Sequence, residues 1–352
     1  MISPMPRPVI AALACAALLL SSAASALSQR TFVSTAGDDA GACSLTQPCR
    51  TFGAAIAKAS AGGEVVVLDS GGYGTASFAK SVSLIAPPGV YAGISVFSGV
   101  GIDVTGLTVS VTLRGLTFNG LGGVSAVQSS FATVSIENCV FTGMSGAAVQ
   151  SISGGSVAIS DSSFIDNGGV ALLGPGSANL TMNRVRAERT LGIAVEFQGT
   201  GQLTILDSLF TGAGGGFVKF DAYGTAQPKA EILSTTFTGS GGPGFDVNAH
   251  DSSTITLNLR DSTVSHTTKG IGVIAVAPAA ANVSLVGNLI ADNQNEGVLA
   301  AGAVTVIATG NALPRNLVGL TNLGATLRSS GNNVTEGSAT PVSGPIGSAQ
   351  SN

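Results

Sequence analysis

From residue 111 onward the chain repeats one short pattern of apolar and polar positions. Val111 and Leu113 alternate with Thr112 and Arg114, and Val134 and Ile136 alternate with Ser135 and Glu137. The phrase returns as Val157-Ala-Ile159, Leu203-Thr-Ile205, Ala230-Glu-Ile232 and Val283-Ser-Leu285. A period of two is the signature of a strand with one buried face. Each unit closes on an apolar position, at Phe118, Phe141, Phe164, Ala187, Phe210, Phe237, Val264, Ile290, Leu313 and Val334. The steps between these positions are 23 residues at first, 26 or 27 in the middle, and 21 at the end. A repeat of this length marks a stacked or radial array. No helical pattern of ten residues separates the units, which excludes strand–helix–strand crossovers. The predicted fold is all-β: a parallel β-helix (solenoid) whose coils pile up about 4.8 Å apart, like residue over like residue.

Each coil has a second strand-like run after a Gly-rich turn, as in Ala148-Val149-Gln150, Ala171-Leu172-Leu173, Ala194-Val195-Glu196-Phe197, Phe217-Val218-Lys219-Phe220 and Phe245-Asp246-Val247-Asn248. Stacking the coils is expected to place Gln150, Leu173, Glu196, Lys219 and Asp246 in one outward column. Gln198, Asp221 and Asn248 form its neighbour, with Tyr223, His250 and Asp251 just beyond. A solenoid needs capped ends. Residues 51–60 carry the pattern of a short helix, with Phe52, Ile56 and Ala59 on one face and Gly62-Gly63 as its stop. That helix is read as a lid over the first coil, whose strand is expected to begin at Glu64. The predicted organisation is a signal peptide over 1–26, a Cys loop and capping helix over 27–63, the β-helix over 64–335 and a flexible tail over 336–352.

The signal assignment rests on the apolar run Val9–Leu20, too short to span a bilayer, followed by Ala24-Ser25-Ala26 as a small-x-small cleavage site. Cys15 lies inside that run, which argues against lipidation there. The mature chain then holds 14 basic and 19 acidic residues, a net charge of about −5 after Arg7 is removed from the 15 basic residues. That balance lacks the basic footprint of a nucleic-acid binder. No second long apolar run suggests a membrane anchor. An exported protein can keep a disulfide, and Cys43 and Cys49 are close enough in sequence to close one. No further His or Cys lies nearby to make them a metal site. Cys139 falls in the repeat as a core residue.

These repeated phrases resemble the right-handed parallel β-helix, pectate-lyase-like superfamily. The stretches Pro48-Cys-Arg-Thr-Phe52, Gly62-Gly-Glu-Val-Val-Val-Leu-Asp-Ser-Gly-Gly-Tyr-Gly74 and Ile85-Ala-Pro-Pro-Gly-Val-Tyr-Ala-Gly-Ile94 are similar to a family of exported bacterial β-helix proteins without an established activity. The resemblance implies a right-handed solenoid, and it admits pectate lyases, polygalacturonases, alginate-modifying enzymes, tailspikes and adhesin stalks. Fold alone does not choose among them. Polygalacturonase-like members carry Asn-x-Asp, Asp-Asp, Gly-His-Gly and Arg-x-Lys on successive coils. Here Asp38-Asp39 is the one Asp-Asp, it lies off the repeat, and Gly-His-Gly and Arg-x-Lys are absent.

The candidate ligand-binding residues are therefore Glu196, Gln198, Lys219, Asp221, Asp246, Asn248 and His250. A carboxylate, an amine and an imidazole within a few rungs suit sugar binding or proton abstraction; an ion-pair ladder Glu196/Lys219/Asp246 that only satisfies cross-strand charges is the alternative. His250 and His266 match no metal motif. Arg184, Arg186, Glu188 and Arg189 form a charged turn, read as solvated. Asp292-Asn-Gln-Asn-Glu opens like a calcium loop, yet Ala303 stands where the closing Glu belongs. Asn138, Asp161, Asp207, Asp261, Asn288, Asn311 and Asn332 are read as a turn ladder at one corner. The sequence thus points to an exported scaffold that binds extracellular or cell-surface polysaccharide without catalysis and without a cofactor. The alternatives are a polysaccharide lyase or other uronate-modifying enzyme, for which Ca²⁺ would enter, and a structural stalk.

Overall fold

The computed structural model of the chain describes residues 27–176 and 179–349; the expected signal segment 1–26 lies outside the described residues. The chain winds into about 12 coils of a parallel β-solenoid. A typical coil runs through strands Thr133–Glu137, Val140–Thr142 and Ala147–Ser151. Like strands of successive coils pair in parallel and build three sheets. Sheet 1 has 14 described strands, from Ser28–Val33 to Gly347–Ser348. Sheet 2 has 10, from Gly71–Gly72 to Leu289–Ala291, and sheet 3 has 12, from Ala76–Phe78 to Thr340–Ser343.

The apolar positions of the repeat meet inside. Phe118, Phe141, Phe164, Ala187, Phe210, Phe237, Val264 and Ile290 stand in one register. Phe141 stacks between Phe118 at 4.9 Å and Phe164 at 4.5 Å, both nearly parallel to it. Val334 does not continue this line. It pairs with Ala312, faces outward and is 52% exposed, because the last coil is one residue longer in register than the sequence spacing implied.

Both corners flanking sheet 2 are built on left-handed backbone. At the first, φ is positive at Asn138, Asp161, Arg184, Asp207, Ser234 and Asp261 and then at Gly287 and Gly310. Asx side chains tolerate that region by bonding locally. The expected Asn/Asp ladder thus splits into two adjacent lines. Asn288 and Asn311 occupy the next position inward, where Ser162, Ser208, Thr235 and Ser262 precede them, and Asn333 rather than Asn332 extends the line. Asn288 N donates to Asn311 Oδ1 at 3.0 Å, and Asn311 N donates to Asn333 Oδ1 at 2.9 Å. Each amide also reaches back to a buried carbonyl: Asn311 Nδ2 donates to Leu285 O at 2.8 Å. The second corner repeats the device with Asn293 and Asn316.

The two ends differ. At the start, Thr51 caps helix α1, Phe52–Lys58, its Oγ1 accepting from Ala54 N at 3.3 Å. Phe52, Ala55 and Ile56 are its buried face, packed on Ser28–Val33, Ala59–Val67 and Ala76–Phe78. The following strand begins at Ala59, before the expected Glu64. The Cys43–Cys49 disulfide closes a loop along the outer edge of Ser28–Val33. Phe32 N donates to Cys43 O, and Cys49 N donates to Phe32 O. A chain-entropy view of this short ring gives the bond about 2 kcal/mol, so Cys43→Ser/Cys49→Ser is expected to lower unfolding free energy by about that amount in urea titration. At the other end, the segment expected as a flexible tail adds strands Thr340–Ser343 and Gly347–Ser348. They pair with Val318–Leu323 and Thr326–Ser329, and their side chains are exposed.

Asp69 ties the Cys loop to the first coil. Its carboxylate accepts from Ser34 Oγ at 2.6 Å, Tyr73 OH at 2.5 Å and Thr35 N at 2.8 Å. The Ser34 and Tyr73 hydrogen bonds, the largest causes, hold its pKa down at about 2 against an ordinary 3.8. A depressed folded-state pKa contributes stability above the unfolded value and loses it as pH falls through the folded one. Wild-type stability is therefore expected to drop by about 1 kcal/mol between pH 5 and pH 2 from this group, solvent at the open side of the carboxylate screening part of the shift. Asp69→Asn removes that portion of the slope, which urea titrations at both pH values would read; an unchanged slope refutes the assignment.

Candidate functional site

The site lies on the outer surface of sheet 3. Strands Ile193–Phe197, Gly216–Ala222 and Phe245–Ala249 stack with Glu196 opposite Lys219 and Lys219 opposite Asp246. Asp221 lies opposite Asn248. Below Glu196 comes Leu172, then Gln150. Leu173, expected in this column, is buried in the core. The steps 150, 172, 196 are 22 and then 24 residues, because the turn before Ile193–Phe197 holds one more residue than its predecessor.

Lys219 is the hub. Its Nζ lies 3.1 Å from Asp221 Oδ2 and 3.3 Å from Glu196 Oε1. Asp221 is 2% exposed, a carboxylate that must be paired to sit there. Asn248 Nδ2 donates to its other oxygen at 3.1 Å. Gln198 Nε2 donates to Glu196 Oε1 at 2.9 Å. The expected three-member ladder is therefore redrawn: Lys219 serves Glu196 and Asp221, and Asp246 forms no ion pair among the described residues. The hydrogen bond that Lys219 donates to Asp221 is the largest of the effects that push the Lys219 pKa up.

Tyr223 and His250 lie one coil apart, just past this network. Their rings are parallel to within 5° with centroids 4.7 Å apart. Tyr223 is 48% exposed. Partial burial, then the Asp221 charge, push its phenol pKa up. Beside His250 is a cavity of about 350 Å³, lined by Asn248, His250, Asp251, Ile274, Val276 and Pro278 among others. The repeat could have shown it: following the Asp221–Asn248 column one coil further lands on Ile274, an apolar residue on an outward column.

Other charged residues pair across coils. Arg184 binds both carboxylate oxygens of Asp161, at 2.6 and 2.7 Å, and Arg189 does the same with Asp166. Arg186 pairs with Glu188, and Arg315 with Asp292, whose pKa is lowered chiefly by that bond. The turn at 184–189 is thus neutralised, by Glu188 within it and by Asp161 and Asp166 of the preceding coil. No group of three or more His, Cys, Asp or Glu among the described residues is placed to hold a metal ion. No helix there is long and apolar enough to cross a membrane. Cys139 is buried and free, and burial pushes its thiol up to about 12.

A family model described as "Right handed beta helix region" matches residues 98–259. No curated protein matches by sequence. Among solved structures, the chain is similar to the A-module of mannuronan C-5 epimerase AlgE6 from Azotobacter vinelandii, with 14% identity, TM-score 0.60, and coverage of 82% of this chain and 91% of that one. A rhamnogalacturonan lyase aligns at 12% identity and TM-score 0.54, over 81% of this chain and 82% of that one. The catalytic domain of a GH87 α-1,3-glucanase aligns at 10% identity and TM-score 0.50, over 98% and 70%. At such identities the likeness carries the fold and no more. The three-sheet winding, the matched region and these neighbours agree on one architecture: the chain has the right-handed parallel β-helix fold.

Proposed function

We propose that the chain is an exported scaffold that binds polysaccharide along the outer face of sheet 3 without turning it over. The observation that carries this reading is the Glu196–Lys219–Asp221–Asn248 network beside the Tyr223–His250 ring pair. It offers fixed donors and acceptors for hydroxyl groups next to a flat ring surface, the usual makeup of a sugar-binding surface. The disulfide at Cys43–Cys49 fits an oxidising compartment. The solved neighbours are named for enzymes that act on polysaccharide, a substrate class that this proposal shares with them.

Two features favour binding over chemistry. Lys219 and Tyr223 both have raised pKa values, which makes each a poorer base at neutral pH. The network also lies on an open sheet face, where water is not excluded. The rival reading, a uronate lyase or epimerase, is favoured by one observation: an amine, a phenol and an imidazole converge within two coils. Incubation of the mature protein with acidic and neutral glycans, with and without Ca²⁺, separates the two. Binding is expected with no new absorbance in the unsaturated-uronate band and no change at sugar C5 by NMR. Either change would overturn the scaffold reading. Lys219→Ala is expected to weaken binding at least tenfold.

A further inference from the structure

We infer that the cavity beside His250 seats a methyl group carried on a sugar ring, so that the glycan recognised is a 6-deoxy or acetylated one. This inference rests on the polysaccharide reading of sheet 3 and narrows it. Tyr223 covers one face of the His250 ring from the preceding coil. Ala249 pairs with Ala275, so Val276 follows His250 in register, and both line the cavity. The lining is divided by coil. Asn248, His250 and Asp251 supply the polar side, and Ile274, Val276 and Pro278 from the next coil supply the apolar one. Val276 is 74% exposed and Ile274 is 40% exposed. The outward column changes character at this point: Asp221 and Asn248 are followed by Ile274 and then Ala301. The volume, about 350 Å³, lies at the small end of ligand pockets, so the space suits a substituent and the ring that bears it, not a run of rings.

Shape and solvation choose the substituent. Ile274 and Val276 end in branched methyls, not in a flat ring. They make more close contacts with a small apolar group than with the broad face of a pyranose. Covering them also removes exposed apolar surface from water. A hydroxymethyl group in the same place would give up water against side chains that return no hydrogen bond. The polar side holds the ring that carries the methyl. Asn248 Nδ2 donates to Asp221, and Asn248 Oδ1 has no hydrogen-bond partner among the described residues. The same holds for both ring nitrogens of His250, which bonds through its backbone. These groups are free to meet sugar hydroxyls as donors and acceptors.

The test uses the full mature chain and calorimetry, with probes in pairs of equal charge. The pairs are a mannose hexaose and its 6-deoxy analogue, a glucose hexaose with and without O-acetyl groups, and a galacturonate hexamer with and without them. Lys219, Lys269, Asp246 and Asp251 then meet both members of a pair alike. The methyl-bearing member of at least one pair is expected to bind about tenfold more tightly. A preference in the first pair identifies a deoxy sugar, and one in the others an acetyl group. Val276→Ser and Ile274→Ser are each expected to abolish that preference and to leave the urea midpoint unchanged, since both side chains are exposed. Equal binding within every pair, or a preference kept in either variant, overturns the inference. If paired hexamers bind equally and lose affinity in Lys219→Ala, the sheet 3 surface stands and only the methyl seat falls. If no hexamer binds, both fall.

Discussion

Phe141→Ala is expected to destabilise the protein by about 3–5 kcal/mol, the range for emptying a buried aromatic site. Phe141 is fully buried, with Phe118 and Phe164 against its two faces. Its neighbours belong to adjacent coils and are fixed by parallel pairing, so the walls cannot collapse into the gap. Each ring pair adds about 0.5–1.5 kcal/mol beyond area burial. Phe141→Leu, which keeps most of the volume, is expected to lose about 1–2 kcal/mol. Val140→Ala, one residue away on the outward face, changes stability by no more than about 0.5 kcal/mol. Urea denaturation of the three variants reads the series. A loss below about 1 kcal/mol for Phe141→Ala would mean that the ring column is not the core of the solenoid.

Asn311→Ala is the second large effect, expected at about 3–4 kcal/mol from two or more orphaned buried groups. The substitution strands Asn288 N and Leu285 O, both of which the Asn311 amide satisfies, and it takes one of the two acceptors of Asn288 Nδ2, which keeps Leu259 O. It also removes a donor to Asn333 Oδ1. Asn311→Ser is the informative comparison. Ser162, Ser208 and Ser262 hold the same corner position in earlier coils and accept from the backbone N–H of the coil before. Serine should therefore restore the acceptor for Asn288 N but not the reach to Leu285. About half of the lost stability is expected to return. Equal losses for both variants would show that the ladder acts through packing alone.

The fold was legible in the sequence because its strongest signal is local and repeated. Val134 and Ile136 lie over Val111 and Leu113, as the alternation demanded. The line from Phe118 to Ile290 follows for the same reason. Register failed where one residue was added or removed in a turn. Leu173 was taken for Leu172 because Val170 and Ala171 are both buried, so strict alternation breaks at the start of each sheet 3 strand. Asn288 was grouped with Asp261, although Gly287 takes over the left-handed position and moves the asparagine inward. At the site, the pairing of Glu196 with Lys219 was readable from spacing. The burial of Asp221 was not, since it depends on how Lys219 and Asn248 fold over it. The cavity beside His250 also escaped, because its wall comes from the strand Ile271–Ala275, whose outward Ile274 carries no charge.

The disulfide loop along Ser28–Val33 and the bare strands at Thr340–Ser343 and Gly347–Ser348 give the molecule a fastened end and a loose end. Loss of structure should travel in one direction. Amide exchange is expected to be fastest near residue 340 and to slow coil by coil toward residue 60. A pulling force applied to the C-terminus would unwind the spiral like thread from a spool, one rung at a time, and the sheet 3 site, several turns in, would be released only after the rungs beyond it had come away.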